Sequence, residues 1–389
     1  MNDWPQVELR DVASVWHEPM DPSQLGELVV AHFSIPAFDA GSGPDITSAS
    51  AIGSSKLVVP DTAVLVSKLN PQTPRVWLPN LPARHRGIAS TEFLILTPSS
   101  RIDRSFLAYA CRTPVFAEEM AGRRTGTTGS HQRVRSDDVM SIRIPLPPLS
   151  EQRCVAGVLS SLEEKGQVNS RLIRAMDRII ELSVAVPNSS WPSLPVARLA
   201  RFVNGGAYTK GASGRGRMVL RIAELNSGPG PSTVFNELDV PDDQVARFGD
   251  VLMSWSGSLG VYRWTRAEAI VNQHIFKVIA DEFPNWFVFV KLKGAMERFR
   301  AIAADKATTM GHIKRQHLEE TTVSVPPTSE LAAFDFRLRP LWDRIILAER
   351  ESASLAEVFN SLLPEVISGR IRVAQRPEAM PLLPPDSPP

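Results

Sequence analysis

The segment from Ser150 to Ser183 occurs twice in this chain, and that duplication limits the possible folds more than any other feature. Stepping alternately by four and three residues gives Val155, Leu159, Leu162, Gly166, Asn169, Ile173, Met176, Ile180 and Ser183. The same steps taken 179 positions later give Phe334, Leu338, Leu341, Ile345, Ala348, Ser352, Leu355, Phe359 and Leu362. Such spacing is the heptad seam of helices that pack on one another. Weak positions in one copy mostly answer strong ones in the other: Gly166 to Ile345, Ser183 to Leu362, Ser352 to Ile173. Each copy also follows one hinge, Pro147-Pro148-Leu149-Ser150-Glu151 and then Pro326-Pro327-Thr328-Ser329-Glu330. The prolines stop what precedes, the serine is placed to cap the helix, and the glutamate suits the positive end of its dipole. The pattern predicts two halves, each a globular part followed by a long helix.

The first helix is predicted over about Glu151 to Val184, on the order of 50 Å long at 1.5 Å per residue. Pro340 falls inside the second set of heptads, where proline costs about 3 kcal/mol. A kink or a fresh start near Arg339 is therefore expected. Leu362 to Gly369 reads as a last turn restarted by Pro364 and closed by glycine. Beyond Val373 the chain is rich in proline and is expected to be disordered.

Residues 1–148 read as a mixed, strand-rich domain. Short apolar runs at Leu57–Val59, Ala63–Val66 and Phe93–Leu96 are bounded by Gly, Pro, Asn and Ser, and one helix is predicted from Ile102 to Met120. A basic loop follows from Ala121, with Arg123, Arg124, His131, Arg133 and Arg135 and no acid. Pro187 to Ser190 reads as a linker, after which Trp191-Pro192 opens a second domain much as Trp4-Pro5 opens the first, 187 positions earlier. That domain carries its own glycine-rich basic loop, Gly205 to Arg217, with Lys210, Arg215 and Arg217. Strand-like runs at Val251–Trp255 and Ala269–Ile279 and a helix around Trp286 to Ile302 lead to a further basic stretch with Lys306, His312, Lys314 and Arg315. A shift of 181 lays His312 on His131 and Lys314 on Arg133, which places a two-residue length difference between loop and hinge.

Arginine and lysine pair with phosphates, and glycine lets backbone N–H groups approach them closely. Basic glycine-rich loops are often only solvated connections, but finding one at the same place in both halves favours the phosphate reading. Asn272 and Gln273 can pair bidentately with adenine, against the alternative of polar residues on the outer face of a strand. Trp255, Trp264 and Trp286 read as core. The adjacent pairs Asp137-Asp138 and Asp242-Asp243 read as a solvated surface.

Several chemistries are excluded. No GxxxxGK[ST] loop is present for nucleotide-driven work. Asn70-Pro71 is followed by Gln72-Thr73 and not by the proline and aromatic residue that an N-methyltransferase needs to stack on its target base. The seven histidines show no zinc spacing, Cys111 and Cys154 form no ligand pair, and no nuclease carboxylate cluster is evident. No catalytic residue and no metal ligand is read from this chain. Two cysteines suit a reducing compartment, Met1 to Pro5 lacks the features of a signal peptide, and no apolar run approaches the roughly 20 residues of a membrane span. A cytoplasmic, non-membrane protein is expected. The net charge of +1 gives no bulk preference for polyanions, so any such case rests on the local clusters.

Taken in order, several stretches resemble the specificity subunits of type I restriction–modification systems over residues 1–373. In the first half they are Ser67 to Pro71, Ala89 to Leu96, Gly126 to Val134 and Ile144 to Gln152. In the second they are Gly249 to Ser254 and Leu363 to Val373. The resemblance implies an α+β chain with an internal two-fold repeat. Two similar mixed target-recognition domains, 1–148 and 187–325, are separated by a central helix, 149–186, and a C-terminal helix, 326–370. These helices would form an antiparallel coiled coil, with 371–389 as a tail. The seam residues would be Val155, Leu159, Leu162, Ile173, Met176 and Ile180 against Phe334, Leu338, Leu341, Ile345, Leu355, Phe359 and Leu362. It further implies double-stranded DNA as ligand, read at two half-sites, and modification (methyltransferase) and restriction (translocase/nuclease) subunits as partners. S-adenosylmethionine, ATP and magnesium would belong to those partners and no cofactor to this chain. A rod of about 50 Å exceeds one DNA turn of roughly 34–36 Å, so unread base pairs are expected between the half-sites. Ser329-Glu330-Leu331 departs from Ser150-Glu151-Gln152. The alternatives are a duplicated coiled-coil scaffold that binds only protein partners, and a stand-alone nuclease, which the missing metal ligands disfavour.

Overall fold

The computed structural model describes residues 4–41, 43–81, 84–124, 132–185, 191–305 and 311–373. His131, Lys306, the linker Pro187 to Ser190 and the tail beyond 373 lie outside the described residues. The chain divides into two compact units, Met1–Glu164 with Ala356–Pro389, and Lys165–Leu355. Each unit holds a globular part and a stretch of both long helices.

In the first unit a four-stranded antiparallel sheet has the order Ala13–Trp16, Phe93–Pro98, Val64–Ser67, Val76–Trp77. The runs Val64–Val66 and Phe93–Leu96 are apolar at every position because both faces are covered. Side chains alternate across the sheet. Val64, Val66, Leu94 and Leu96 face a core with Phe106, Leu107 and Phe116 from the helices, while Leu65, Phe93 and Ile95 face a second sheet through Ala31, Phe33, Leu57 and Val59. That second sheet contains one parallel pair, Val29–Phe33 with Arg86–Ala89. A two-stranded pairing, Gln6–Glu8 with Arg143–Pro145, ties the start of the domain to the strand that precedes the hinge.

The second unit repeats each of these parts. Its central sheet runs Arg201–Asn204, Ile275–Ile279, Val251–Ser254, Gly260–Arg263, and its second sheet contains the parallel pair Arg217–Leu220 with Ala269–Val271. Ser193–Pro195 pairs with Thr322–Ser324. Val251, Met253, Phe276 and Val278 face Phe287, Leu292 and Phe299, whereas Leu252 and Ile275 face Leu220, Ala246 and Val271. Trp264 and Trp286 are core residues, as read from the sequence; Trp255 is only half-buried.

Three expectations are corrected. The helix read from Ile102 to Met120 is two helices, Arg104–Ala110 and Pro114–Gly122. Pro114 begins the second one, and the Thr113 hydroxyl caps it by accepting from the Phe116 N–H at 3.3 Å. Ser150 and Ser329 are not caps, because the long helices already begin at Leu149 and Thr328, directly after the paired prolines. The second long helix, Thr328–Ser368, starts afresh at neither Pro340 nor Pro364. Pro340 is exposed, and so is Phe336, whose carbonyl loses its helical partner to the proline ring and can turn to water. Leu338, Leu341 and Trp342 on the other side remain packed. Gly369, at φ +79°, ends the helix as read.

The long helices pair antiparallel in each unit. In the first, Val155, Leu159 and Leu162 share a core with Phe359, Leu362, Leu363 and Val366. In the second, Ile173, Met176 and Ile180 share one with Phe334, Leu338, Leu341 and Ile345. Leu355, read as a seam residue, is partly exposed and joins neither core. Asn169, in the second unit, is fully buried and donates its amide to Glu351 at 2.8 Å.

Candidate nucleic-acid interface

Four stretches of the second unit that are separate in sequence meet at one sheet edge. Gly206 bridges to Asn272, and Ser256 bridges to His312. The Ser256 hydroxyl lies 3.0 Å from His274 Nδ1, and the Gln273 amide lies 3.2 Å from His274 Nε2. The Trp255 ring is tilted over His274 with centroids 5.5 Å apart, and its indole N–H donates to Asn204 at 2.9 Å. The basic loop begins here for a steric reason. A side chain on Gly205 would have its Cβ 2.2 Å from the Val271 carbonyl oxygen, so only glycine lets the loop cross the turn this closely.

The sequence-derived residues fall into distinct groups. Lys210, Arg215, Gln273, His312, Lys314 and Arg315 are exposed, as are Arg124, Arg133 and Arg135 in the first unit. Gln273 and His274 sit in a tight turn between Ala269–Val271 and Ile275–Ile279, not on a strand face. Asn272 is buried, with its side-chain amide oxygen accepting from the Gln273 N–H at 2.8 Å, so it supports the turn instead of facing out. Arg123 is used internally: it donates to the Asp138 carbonyl, to the Ser141 hydroxyl and to Glu119 at 2.6–2.8 Å. Arg217 donates to the Leu238 carbonyl and Arg315 to the Phe202 carbonyl. Arg133 forms a two-pronged pair with Glu92 at 2.9 and 2.5 Å. That bond raises the Arg133 pKa, while burial lowers that of Lys68 despite the nearby Glu92 charge.

The two units build this edge on one backbone pattern. Lys68 N–H donates to the Glu92 carbonyl, Val134 N–H to Lys68, and Asn70 N–H to Gln132, at 2.8–3.1 Å. In the second unit Trp255 donates to His274, Ile313 to Trp255 and Gly257 to Gly311, at 3.0–3.2 Å. Asn70 (φ +50°) and Gly257 (φ +62°) even share the left-handed conformation that asparagine and glycine tolerate. Leu69 bridges Arg133 where Ser256 bridges His312. The loop correspondence is thereby corrected. Arg133 answers His312, and Arg135 answers Lys314, each preceding a short helix, Ser136–Met140 or Arg315–Glu320. The offset is already 179 at Arg133, so the length difference lies before that residue. Lys68 and Glu92 were not singled out from the sequence; only the pairing of the strands places them here.

Among the described residues no group of three or more His, Cys, Asp or Glu side chains is placed to hold a metal ion, and no helix is long and apolar enough to cross a membrane. No protein-family model matches the chain. The MjaIX specificity subunit of a type I restriction enzyme from Methanocaldococcus jannaschii is 20% identical over 327 residues, covering 73% of this chain and 72% of the relative. Among solved structures, the S subunit of a type I restriction–modification system from M. genitalium superposes with a TM-score of 0.59 at 15% identity, covering 94% of this chain and 96% of that one. An HsdS subunit from Thermoanaerobacter tengcongensis is matched at a TM-score of 0.40 and 16% identity over 95% of this chain and 97% of that one. The chain is thus similar in sequence to a type I restriction specificity subunit over nearly three quarters of its length, and it has the fold of an S subunit of such a system.

Proposed function

We propose that this chain is the non-catalytic DNA-recognition subunit of a type I restriction–modification complex. It binds a bipartite double-stranded target, one half-site per unit, and directs adenine-methyltransferase and ATP-dependent restriction subunits to it. S-adenosylmethionine, ATP and magnesium belong to those partners in this reading. The observation that carries it is the repeated sheet edge. One backbone pattern appears twice, each time flanked by exposed basic residues, Arg135 in one unit and Lys314 with the Lys210–Arg215 loop in the other. Basic side chains of this kind set register on phosphates, and neighbouring neutral or paired side chains can discriminate bases. The similarity to specificity subunits supports the same reading.

The test is a map of methylated adenines in host DNA with and without this gene. Loss of modification at one split sequence is the expected result. An unchanged methylation map would sink the reading in favour of a scaffold that binds only proteins.

A further inference from the structure

The repeated edge has one backbone and two chemistries. At equivalent positions the first unit carries Lys68, Glu92 and Arg133, and the second carries Trp255, His274 and His312. The remaining position of the turn is Thr91 in the first unit and Gln273 in the second. In both units these side chains are partly or fully exposed, and the backbone hydrogen bonds on either side hold their Cα atoms in place. They also brace one another: Glu92 holds Arg133 by two bonds, while Ser256 and Gln273 take the two nitrogens of His274. A flexible surface side chain would lose rotamer freedom on meeting a base; Glu92, Arg133, Trp255, Gln273 and His274 are already restrained.

We propose that these side chains are the base-discriminating contacts of the two units, and that the first set selects a G·C pair while the second selects an A·T pair. The proposal deepens the DNA-recognition reading above and rests on it. The Arg133 guanidinium has the fork that matches guanine O6 and N7, and the Glu92 carboxylate can accept from the cytosine amino group, so the pair addresses both members of G·C. In the second unit the Gln273 amide matches adenine N6 and N7, and the rings of Trp255 and His274 offer apolar contact to a thymine methyl. No carboxylate or guanidinium stands among Trp255, Gln273, His274 and His312 to favour G·C. A duplicated reader would in this way distinguish two different half-sites without any change in its main chain.

The experiment replaces the chromosomal gene with altered alleles of the full chain and maps modified adenines in each strain. Loss of the modified sequence on gene deletion tests the recognition reading alone and is required first. With that in hand, Arg133→Ala should relax one G·C position in one half-site, reducing its preference on the order of ten- to hundredfold. Gln273→Ala should relax an A·T position in the other half only. The triple exchange Trp255→Lys, His274→Glu, His312→Arg should move that second half towards G·C and leave the first untouched. If the triple variant does not accumulate as folded protein, the two exposed single truncations carry the test. Either of two results overturns the proposal while leaving the recognition reading intact: both half-sites unchanged in both single variants, or Arg133→Ala acting on a half-site without a G·C pair.

Discussion

The two units fasten like sheets to the long helices by opposite chemistry. In the first unit the fourth strand ends beside Leu78, which packs into the helix-facing core. In the second the equivalent residue is Arg263, its side chain almost fully buried, with bonds of 2.8 and 3.0 Å to Asp177 of the first long helix and of 2.9 and 2.5 Å to Glu349 of the second. Its guanidinium also lies over the rings of Phe289 and Trp342. The first unit makes polar ties elsewhere, one of them at the start of the first long helix. Gln152, buried in the first turn of the first long helix, accepts from the Asp103 N–H at 2.7 Å and donates to the carbonyls of Arg101 and Pro147, whereas its counterpart Leu331 is simply packed. Apolar contact tolerates small displacement, while a buried ion triad fixes position and is unforgiving of partial loss. At this strand end the duplicated architecture has exchanged an apolar contact for an ionic one, although the first unit also holds Glu163 of its long helix through Arg112 and Tyr109 at 2.6 and 2.8 Å.

The comparison can be broken most severely at Arg263. Arg263→Ala leaves two carboxylates inside a packed interface and should cost roughly 3–5 kcal/mol of stability by denaturant titration. Leu78→Ala, in the equivalent place, should cost at most about 2 kcal/mol, because an incompletely buried leucine loses less. Comparable losses at the two sites would erase the distinction. Next is Gln152→Leu, which copies the second unit's residue into the first. It strands one N–H and two carbonyls, and a loss of about 2 kcal/mol is expected; a neutral outcome would show that water takes over the amide's bonds.

A subtler measurement uses pH. Burial raises the Glu349 pKa, and Arg263 opposes that shift by hydrogen bond and charge. The folded state then holds the proton more tightly than the unfolded chain, so this group's contribution is complete below the ordinary value of 4.5 and is lost as pH rises through the folded value. Arg263→Ala removes the opposition and should steepen that loss between acidic and neutral pH. A variant whose deficit is the same at every pH would contradict this origin. The smallest effects concern DNA. Arg135→Ala and Lys314→Ala occupy equivalent exposed positions, and each should weaken binding of the assembled complex to all sequences while reducing the salt slope by about one. A change confined to one sequence would mean that the residue reads bases.

Periodicity made the helices legible. Val155, Leu159, Met176 and Ile180 in one helix and Phe334, Leu338, Ile345 and Phe359 in the other lie where the heptads put them. Proline misled in both directions. Pro340 is tolerated inside a helix because it is exposed, which spacing does not reveal, whereas Thr113-Pro114 opens a new helix. At the candidate interface, composition pointed to basic loops but not to how their side chains are used. Arg123 looked like Arg124 in the sequence, yet one stitches two helices together and the other faces solvent. The Arg263 triad was invisible for a related reason: both its carboxylates lie 86 positions away, one on either side, and no local pattern joins them.

The first unit is discontinuous along the chain, closing only when residues from Ala356 onward join those before Glu164, whereas the second is drawn from one unbroken span. During synthesis, then, the later-made unit can finish first. Until the final helix emerges, Val155 and Leu159 wait for Phe359, Leu363 and Val366, leaving a greasy strip uncovered on the nascent polypeptide.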